Sequence, residues 1–250
     1  MYISDSKEDK VLLSKADDIV SLSLTRKKPC YLGFLNERET YIVKDYLSWS
    51  ETNIAFYGGY DNALRTVVCS SIGEISQEEF PIKPVYFTFR TCDVLTHRDF
   101  LGALINLGIE RSCIGDIIVN NGCAVVFVKS DIYDYIISQV SKIGRVGVKT
   151  VPVKPKNLEI KQEFENLQFL VSSMRLDVIV AAITNLSRQK VSEMILSGKV
   201  YCNYLHTQNG SNKVADNDII SIRGFGKYII EGQIGLTKKG RIKLSIKHFS

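Results

Sequence analysis

Two runs rich in β-branched and apolar residues flank an Asn121-Gly122 pair, in the stretch GDIIVNNGCAVVFVKS at residues 115–130. An Asn-Gly pair between such runs is a strong β-hairpin signal, because both residues tolerate the positive φ of a tight hairpin turn. The pattern before the hairpin is strand-like at 84–91 and helical at 97–109, and after it helical at 131–144 and strand-like at 147–154. This βαββαβ order predicts a ferredoxin-like domain over residues 79–159.

Aromatic residues on the predicted central strands raise one question about this domain. Domains that stack RNA bases on an open sheet share the element order and carry paired aromatics there. Tyr86, Phe87 and Phe89 lie on the first strand and Phe127 on the third. Because some of these rings must face the core, the sequence leaves open whether any is exposed, and the fold alone does not determine function.

The segments on either side of the middle domain predict two further domains. Residues 1–78 combine a helical pattern at 7–24, a capping box at Asn36-Glu39 that starts a second helix, and strands at 53–59 and 63–70. We interpret the polar stretch at 155–168 as a linker. Within the middle domain, we expect Gly144 to end the predicted helix at 131–144. Residues 169–250 predict two helices, at 174–185 and at 187–198, followed by several short strands. The fold class is therefore α+β and multi-domain.

Composition excludes several function classes. The six cysteines form no Cys-x-x-Cys pair, His206 and His248 lie far in sequence from any plausible nucleophile, and no apolar run reaches the roughly 18 residues of a membrane span. We therefore expect reduced thiols, no metal, no cofactor, no small-molecule substrate and no membrane partner. The polar N-terminus lacks a signal-peptide pattern, so we expect a cytoplasmic protein.

Positive charge is concentrated in the last third of the chain. Residues 171–250 contain 12 Lys+Arg and 5 Asp+Glu, a net +7, whereas the first 170 residues carry a net −2. Such asymmetry favours an anionic partner, usually nucleic acid.

The start of the second C-terminal helix places this charge at an unusual position. Ser187 is a natural N-cap, and Arg188 and Lys190 occupy the first turn of the helix. Lys190 is the third helical residue, the position at which a capping box would have Glu or Gln. Cations here oppose the helix dipole, yet the free N–H groups of a first turn also bind anions. The arrangement becomes favourable when a phosphate binds, so we predict a phosphate site at Ser187, Arg188 and Lys190.

The same segment resembles a known RNA-binding domain. Arg175-Leu-Asp177, Ser187-Arg188, Ile195-Leu-Ser-Gly-Lys-Val200, Asn203 and Asp218-Ile-Ile-Ser-Ile-Arg-Gly224 match the S-four (alpha-L) domain, in which a helix hairpin packs on a small bent sheet and faces RNA. Asn217-Asp218 and Asn203-Tyr204 depart from the family's usual turns. The position and charge of further residues extend the predicted RNA-binding set to Arg175, Lys199, Asn203, Arg223, Lys227, Lys238, Lys239 and Arg241. Two alternatives stay open: each of these cations could be an ordinary solubilising charge, and Arg175 with Asp177 could instead fix the helix hairpin.

The whole chain is similar to the bacterial YlmH-like proteins. The matching stretches are FLNERE (34–39), GGYDNALR (58–65), LTHRDFLGALINLGIERSCIGDI (95–117), VSSMRLD (171–177), NLSR (185–188), SIRGFGKY (221–228) and LTKKGR (236–241). The resemblance implies a non-enzymatic cytoplasmic RNA-binding protein, encoded near cell-division genes. It also implies binding to rRNA and tRNA on the large ribosomal subunit, in quality control of stalled peptidyl-tRNA. We expect a monomer.

Two alternatives stay open at this point. Pseudouridine synthases use the Asp of an Arg-Leu-Asp triplet as nucleophile, but here Asp177 precedes a helical apolar run. A cell-division adaptor is the other alternative. His97-Arg98-Asp99 could suggest proton transfer, although capping of a helix by Thr96 or Asp99 also explains it.

Overall fold

The computed structural model describes residues 6–160 and 164–249. These residues form two compact units, divided between Ile160 and Lys161. The helices are α1 Lys7–Arg26, α2 Glu37–Tyr46, α3 His97–Asn106, α4 Tyr133–Gln139, α5 Leu176–Thr184 and α6 Arg188–Leu196. The strands are β1 Cys30–Leu35, β2 Asn53–Tyr57, β3 Thr66–Ser71, β4 Ile82–Thr88, β5 Ile114–Asn120, β6 Cys123–Lys129, β7 Lys142–Ile143, β8 Val146–Gly147, β9 Lys149–Val151, β10 Phe164–Val171, β11 Val200–Cys202, β12 Leu205–His206, β13 Ile219–Ile222, β14 Gly226–Leu236 and β15 Ile242–Phe249.

The first unit contains an antiparallel four-stranded sheet with the order β5-β6-β4-β9. The β5–β6 hairpin turns at Gly122, whose φ of 76° fits the predicted Asn-Gly turn. With α3 after β4 and α4 after β6, this is the ferredoxin-like element order, and α3 and α4 pack on one face of the sheet around Phe100 and Ile136.

The other face of this sheet is covered by the N-terminal part of the same unit. Strands β1, β3 and β2 form a second sheet, and its residues Phe34 and Val67 share a core with Val125 and Phe127 of β6. Tyr60 stacks on Phe127 with ring centroids 4.9 Å apart. A face that packs against protein cannot stack nucleobases.

The four aromatic residues of the central strands all pack in the cores on the two faces of the four-stranded sheet. Phe87 and Phe127 are 0% and 2% exposed, and Tyr86 and Phe89 pack against the cores on opposite faces of the sheet. This answers the question left open by the sequence, since none of the four is presented as an open stacking platform.

The predicted helix over 131–144 ends five residues early. A 3-10 turn spans Ser130–Ile132, and α4 ends at Gln139. Ile143 is fully buried in the core and pairs with Val146, so Gly144, at φ 57°, lies in a hairpin turn instead of ending the helix. Burial of Ile143 therefore overrides the helical pattern.

The predicted linker over 155–168 is also wrong for most of its length. Leu158 is 2% exposed and packs in the first unit, and Phe164–Val171 form strand β10 of the second unit. Residues 161–163 lie outside the described residues. The predicted division at residues 78 and 79 falls inside the first unit, so these domain boundaries stay a prediction.

The second unit packs α5 and α6 on one six-stranded antiparallel sheet, with the order β10-β15-β14-β13-β11-β12. Its core joins Ile179, Val191 and Ile195 of the helices to Ile220 and Ile246 of the sheet. The short helices hold their places because each buries one apolar stripe against this sheet.

Candidate nucleic-acid interface

The α5–α6 hairpin fixes the direction of the second helix. α5 ends at Asn185, which adopts a left-handed conformation with φ 55°, and Ser187 then caps α6. The Ser187 Oγ accepts a hydrogen bond from the Lys190 N–H at 3.4 Å, as the sequence predicts. Val191 and Ile195 are buried, which leaves the first-turn side chains Arg188 and Lys190 in solvent.

Charge at the start of α6 is uncompensated. The first turn contains no acidic residue. Within residues 6–160 and 164–249, neither Arg188 nor Lys190 forms an ion pair. Two cations therefore lie beside the free N–H groups of a helix start, an arrangement that attracts an anion with at least two oxygens.

A second group of predicted residues meets at one end of the sheet. The Arg223 N–H donates to the Lys199 carbonyl at 2.8 Å, which brings the two exposed side chains to neighbouring positions. The Lys227 Nζ lies 3.9 Å from the centroid of the Phe249 ring and 5.9 Å from that of Tyr204. These ring contacts hold the lysine side chain in place.

A shallow groove beside these cations contains aromatic residues that sequence analysis missed. It is lined by Tyr201, Ser221, Ile222, Arg223, Gly224, Gly226 and Lys227. Tyr201 is 38% exposed, and Phe225, in the adjoining turn, is 39% exposed. The available signal was that Tyr201 alternates with the inward-facing Val200 and Cys202 on a strand. Cations and exposed rings together suit an unpaired nucleotide.

Two predicted RNA-binding side chains have partners within the protein. Arg175 forms a bidentate pair with Asp177, Nε to Oδ1 at 3.0 Å and Nη2 to Oδ2 at 2.9 Å. Asn203 has φ 50°; its Nδ2 donates to Asp218 at 2.8 Å, and its Oδ1 accepts from the Ile219 N–H at 2.9 Å. These side chains hold the start of α5 and the turn after β11, and their RNA contacts stay a prediction.

The remaining predicted cations lie apart from the group at the Gly224–Gly226 end of the sheet. Lys238, Lys239 and Arg241 are exposed in the turn between β14 and β15, which the Thr237 hydroxyl closes by accepting from the Arg241 N–H at 2.9 Å. At about 3.3 Å per residue, β14 separates this turn from the Gly224–Gly226 turn by roughly 30 Å. Arg223 and Lys227 therefore lie at the opposite end of β14 from these three cations.

The distinctive stretches of the first unit converge on one buried carboxylate. Asp116 accepts hydrogen bonds from the Tyr60 hydroxyl at 2.7 Å, the Leu64 N–H at 2.7 Å and the Arg65 N–H at 3.2 Å. The Arg65 guanidinium donates to the carbonyls of Phe34 and Ile114 at 2.9 and 3.0 Å. Stretches 34–39, 58–65 and 95–117 are thus joined by a structural network.

Burial shifts the ionisation of this network. It raises the pKa of Asp116 against the lowering effect of the three hydrogen bonds. Burial, with the nearby charge of Arg111, lowers the pKa of Arg65 to about 10, so the arginine stays charged at neutral pH.

His97-Arg98-Asp99 has a local structural explanation. Thr96 and Asp99 form a capping box at the start of α3, and the Asp99 carboxylate accepts from the Thr96 N–H at 2.8 Å and its hydroxyl at 2.6 Å. These bonds hold the pKa of Asp99 below its usual range. Desolvation, with the charge of Arg111, lowers the pKa of His97.

The described residues contain no group of three or more His, Cys, Asp or Glu side chains placed to hold a metal ion. Within the same residues, no helix has the length and apolar character needed to cross a membrane.

Comparison with known proteins matches both the sequence and the fold. Residues 76–157 match the family model described as "Putative RNA-binding domain in YlmH". A relative from Bacillus subtilis (strain 168), named "Ribosome-associated protein quality control protein P2", is 31% identical over 251 residues, covering 99% of this chain and 98% of the relative. A solved structure, "Cell division protein ylmH from Streptococcus pneumoniae", aligns with a TM-score of 0.51 at 23% identity, covering 61% of this chain and 96% of that one, and so shares the fold. Identity of this extent over essentially the full length of both chains shows that this chain belongs to the YlmH family.

Proposed function

We propose that this protein binds structured RNA, rRNA and tRNA, on the large ribosomal subunit and acts there without catalysing a reaction. Its place is the quality control of stalled peptidyl-tRNA in the cytoplasm, where it acts as a monomer. The observation that carries the proposal is the uncompensated charge of Arg188 and Lys190 at the capped start of α6. The name of the Bacillus subtilis relative supports the ribosomal role.

The interface proposed for the second unit combines two kinds of contact. Arg188 and Lys190 bind sugar-phosphate backbone, because guanidinium groups fork onto phosphate and helix N–H groups complete the site. Lys199, Arg223 and Lys227 bind further phosphates at the end of the sheet. Tyr201 supplies a face on which an unpaired base stacks.

An RNA-modifying reaction at Asp177 is the alternative, and its surroundings disfavour it. Asp177 is only 9% exposed, is paired with Arg175, and donates its backbone N–H to the Gly210 carbonyl at 2.9 Å. A nucleophile must reach its substrate, and this carboxylate faces a protein partner. Turnover of rRNA or tRNA that disappears in Asp177→Asn would overturn the non-enzymatic proposal.

The test of RNA binding is the affinity of the full chain for purified large ribosomal subunits and for tRNA over a range of salt concentrations. We expect the Arg188→Gln, Lys190→Gln double variant to weaken binding and to lower the slope of log K against log salt by about 1.8, roughly 0.9 for each phosphate that is no longer neutralised. A control for the loss of a single cation elsewhere in the unit is Lys243→Gln, which removes an exposed charge from β15. Equal slopes for the wild type, the double variant and the control would contradict the assignment.

A further inference from the structure

A second basic segment lies in the first unit, outside the predicted RNA-binding set. Between residues 142 and 156 the chain has five cations and no Asp or Glu. By contrast, residues 76–141 carry 5 Lys+Arg and 8 Asp+Glu. Within the stretch that matches the family model, a net positive charge is therefore found only at this end. The five cations are Lys142, Arg145, Lys149, Lys154 and Lys156, and we call residues 142–156 the basic hairpin.

Two buried apolar residues fix the basic hairpin on the domain and leave its cations in solvent. Ile143 and Val148 are 0% and 5% exposed and belong to the core under α3 and α4. The Val148 N–H donates to the Ser141 carbonyl at 3.0 Å, and Gly144, with φ 57°, turns the chain so that Arg145 follows at the tip. The turn is thus fixed on the domain and presents the charges at defined positions.

The rest of the segment is also anchored. Lys149 starts β9, an edge strand of the sheet, where Thr88 pairs with it. Further along, Asn157 Nδ2 donates to the Asn121 carbonyl at 3.0 Å and Leu158 is 2% exposed. Lys154 and Lys156 therefore lie in a short span held at both ends. Ordered cations lose less entropy on binding than cations on a free tail.

None of the five charges is neutralised by the described part of the chain. All five residues are exposed, and no ion pair involves any of them among residues 6–160 and 164–249. The segment also contains no aromatic residue. It can contact phosphates but has no ring on which to stack a base.

RNA-recognition domains with this element order bind bases on an open face of the sheet, and that face is covered in this protein. The sheet face opposite α3 and α4 packs against β1 and β3, with Val125 and Phe127 buried between the two sheets. An RNA-binding role for this domain therefore requires a surface other than the sheet.

We propose that the basic hairpin is a second RNA-contact surface, which binds the sugar-phosphate backbone of structured RNA without reading its bases. The inference rests on the proposed function, and it adds a site in a different unit from α6. One chain would then hold RNA at two places, and two linked contacts raise the overall affinity beyond that of either alone.

The test is the salt dependence of binding by the full chain to a 30-base-pair RNA hairpin. The variant is Lys142→Gln, Arg145→Gln, Lys149→Gln, which removes three charges and keeps side chains of similar length. We expect the slope of log K against log salt to fall by about 2.7, so that between 50 and 200 mM salt the wild type loses about 40-fold more affinity than the variant. The matched control is Lys10→Gln, Arg26→Gln, Lys28→Gln, three exposed cations outside the matched domain.

The outcomes separate this inference from the proposed function. A slope equal to that of the wild type, or an equal fall in the control, overturns the second surface. If the Arg188→Gln, Lys190→Gln variant still binds more weakly in that case, the proposed function stands. A wild type that shows no salt-dependent binding refutes both. If the triple variant no longer bound vesicles of phosphatidylglycerol but bound RNA as the wild type does, the RNA assignment would be overturned in favour of an anionic membrane.

Discussion

Replacing Lys190 by Glu should stabilise the free protein while weakening its RNA binding. Lys190 is the third residue of α6, next to the N–H groups that carry the positive end of the helix dipole. Removing the cation and adding a carboxylate each contribute about 0.3–1 kcal/mol at low ionic strength, so the free energy of unfolding should rise by about 0.6–2 kcal/mol. The new carboxylate also lies where a capping box accepts from the Ser187 N–H.

Urea unfolding at low salt measures the first effect. For an m-value of about 2 kcal/mol/M, the midpoint should rise by about 0.3–1 M. Titration of the same variant with structured RNA measures the second effect: the salt slope should fall by about 0.9, because one phosphate is no longer neutralised. Lys190→Gln should lower the salt slope equally but gain only about half of the stability.

A matched charge reversal at Lys243, on the exposed side of β15, separates the local site from net charge. Lys243→Glu should leave the urea midpoint unchanged, because no helix start lies next to it in the chain. If Lys190→Glu destabilised the protein, the dipole argument would be refuted. If RNA affinity and salt slope matched the wild type, the start of α6 would not be an RNA contact.

Further expected outcomes concern the buried polar groups and the thiols. Tyr60→Phe removes one of three donors to the buried Asp116 carboxylate, so the free energy of unfolding should fall by about 1–3 kcal/mol in urea titrations. Arg175→Ala leaves the Asp177 side chain, 13% exposed, without its cation; a similar fall is expected, with the RNA salt slope unchanged because that charge is already neutralised. A reduced slope would instead restore Arg175 to the interface. Cys92, the exposed cysteine, should react with Ellman's reagent before the buried thiols, and simultaneous reaction would contradict the described burial.

Local patterns predicted the elements whose signals lie within a few residues. The capping box at Asn36-Glu39, the Asn121-Gly122 hairpin and the Ser187 cap all occur in the structure where the sequence places them. Each depends on backbone φ or on a hydrogen bond across three residues, and such interactions are decided by neighbours in the chain. The element order of the ferredoxin-like sheet followed from these signals and from apolar periodicity.

The secondary structure of two segments was mispredicted, because their local pattern and their long-range contacts favour different structures. Residues 140–144 continue a helical pattern, but burial of Ile143 draws them into the β7–β8 hairpin. Residues 164–168 include the polar Glu165, Asn166 and Gln168, which suggested a linker. They nevertheless pair with β15 as the sheet edge, where one side of the strand stays in solvent. The secondary structure of such segments is determined by contacts with residues distant in sequence.

The candidate site likewise depends partly on local sequence and partly on long-range contacts. Sequence alone determined the charge asymmetry, the cations at the start of α6 and the resemblance of the motifs to the YlmH family, because these depend on residue type and spacing. Tertiary structure decided that Arg175 is neutralised by Asp177, that Tyr201 is exposed, and that the sheet of the first unit is covered. Whether a side chain is free to bind depends on what packs against it, and long-range contacts alone supply that information.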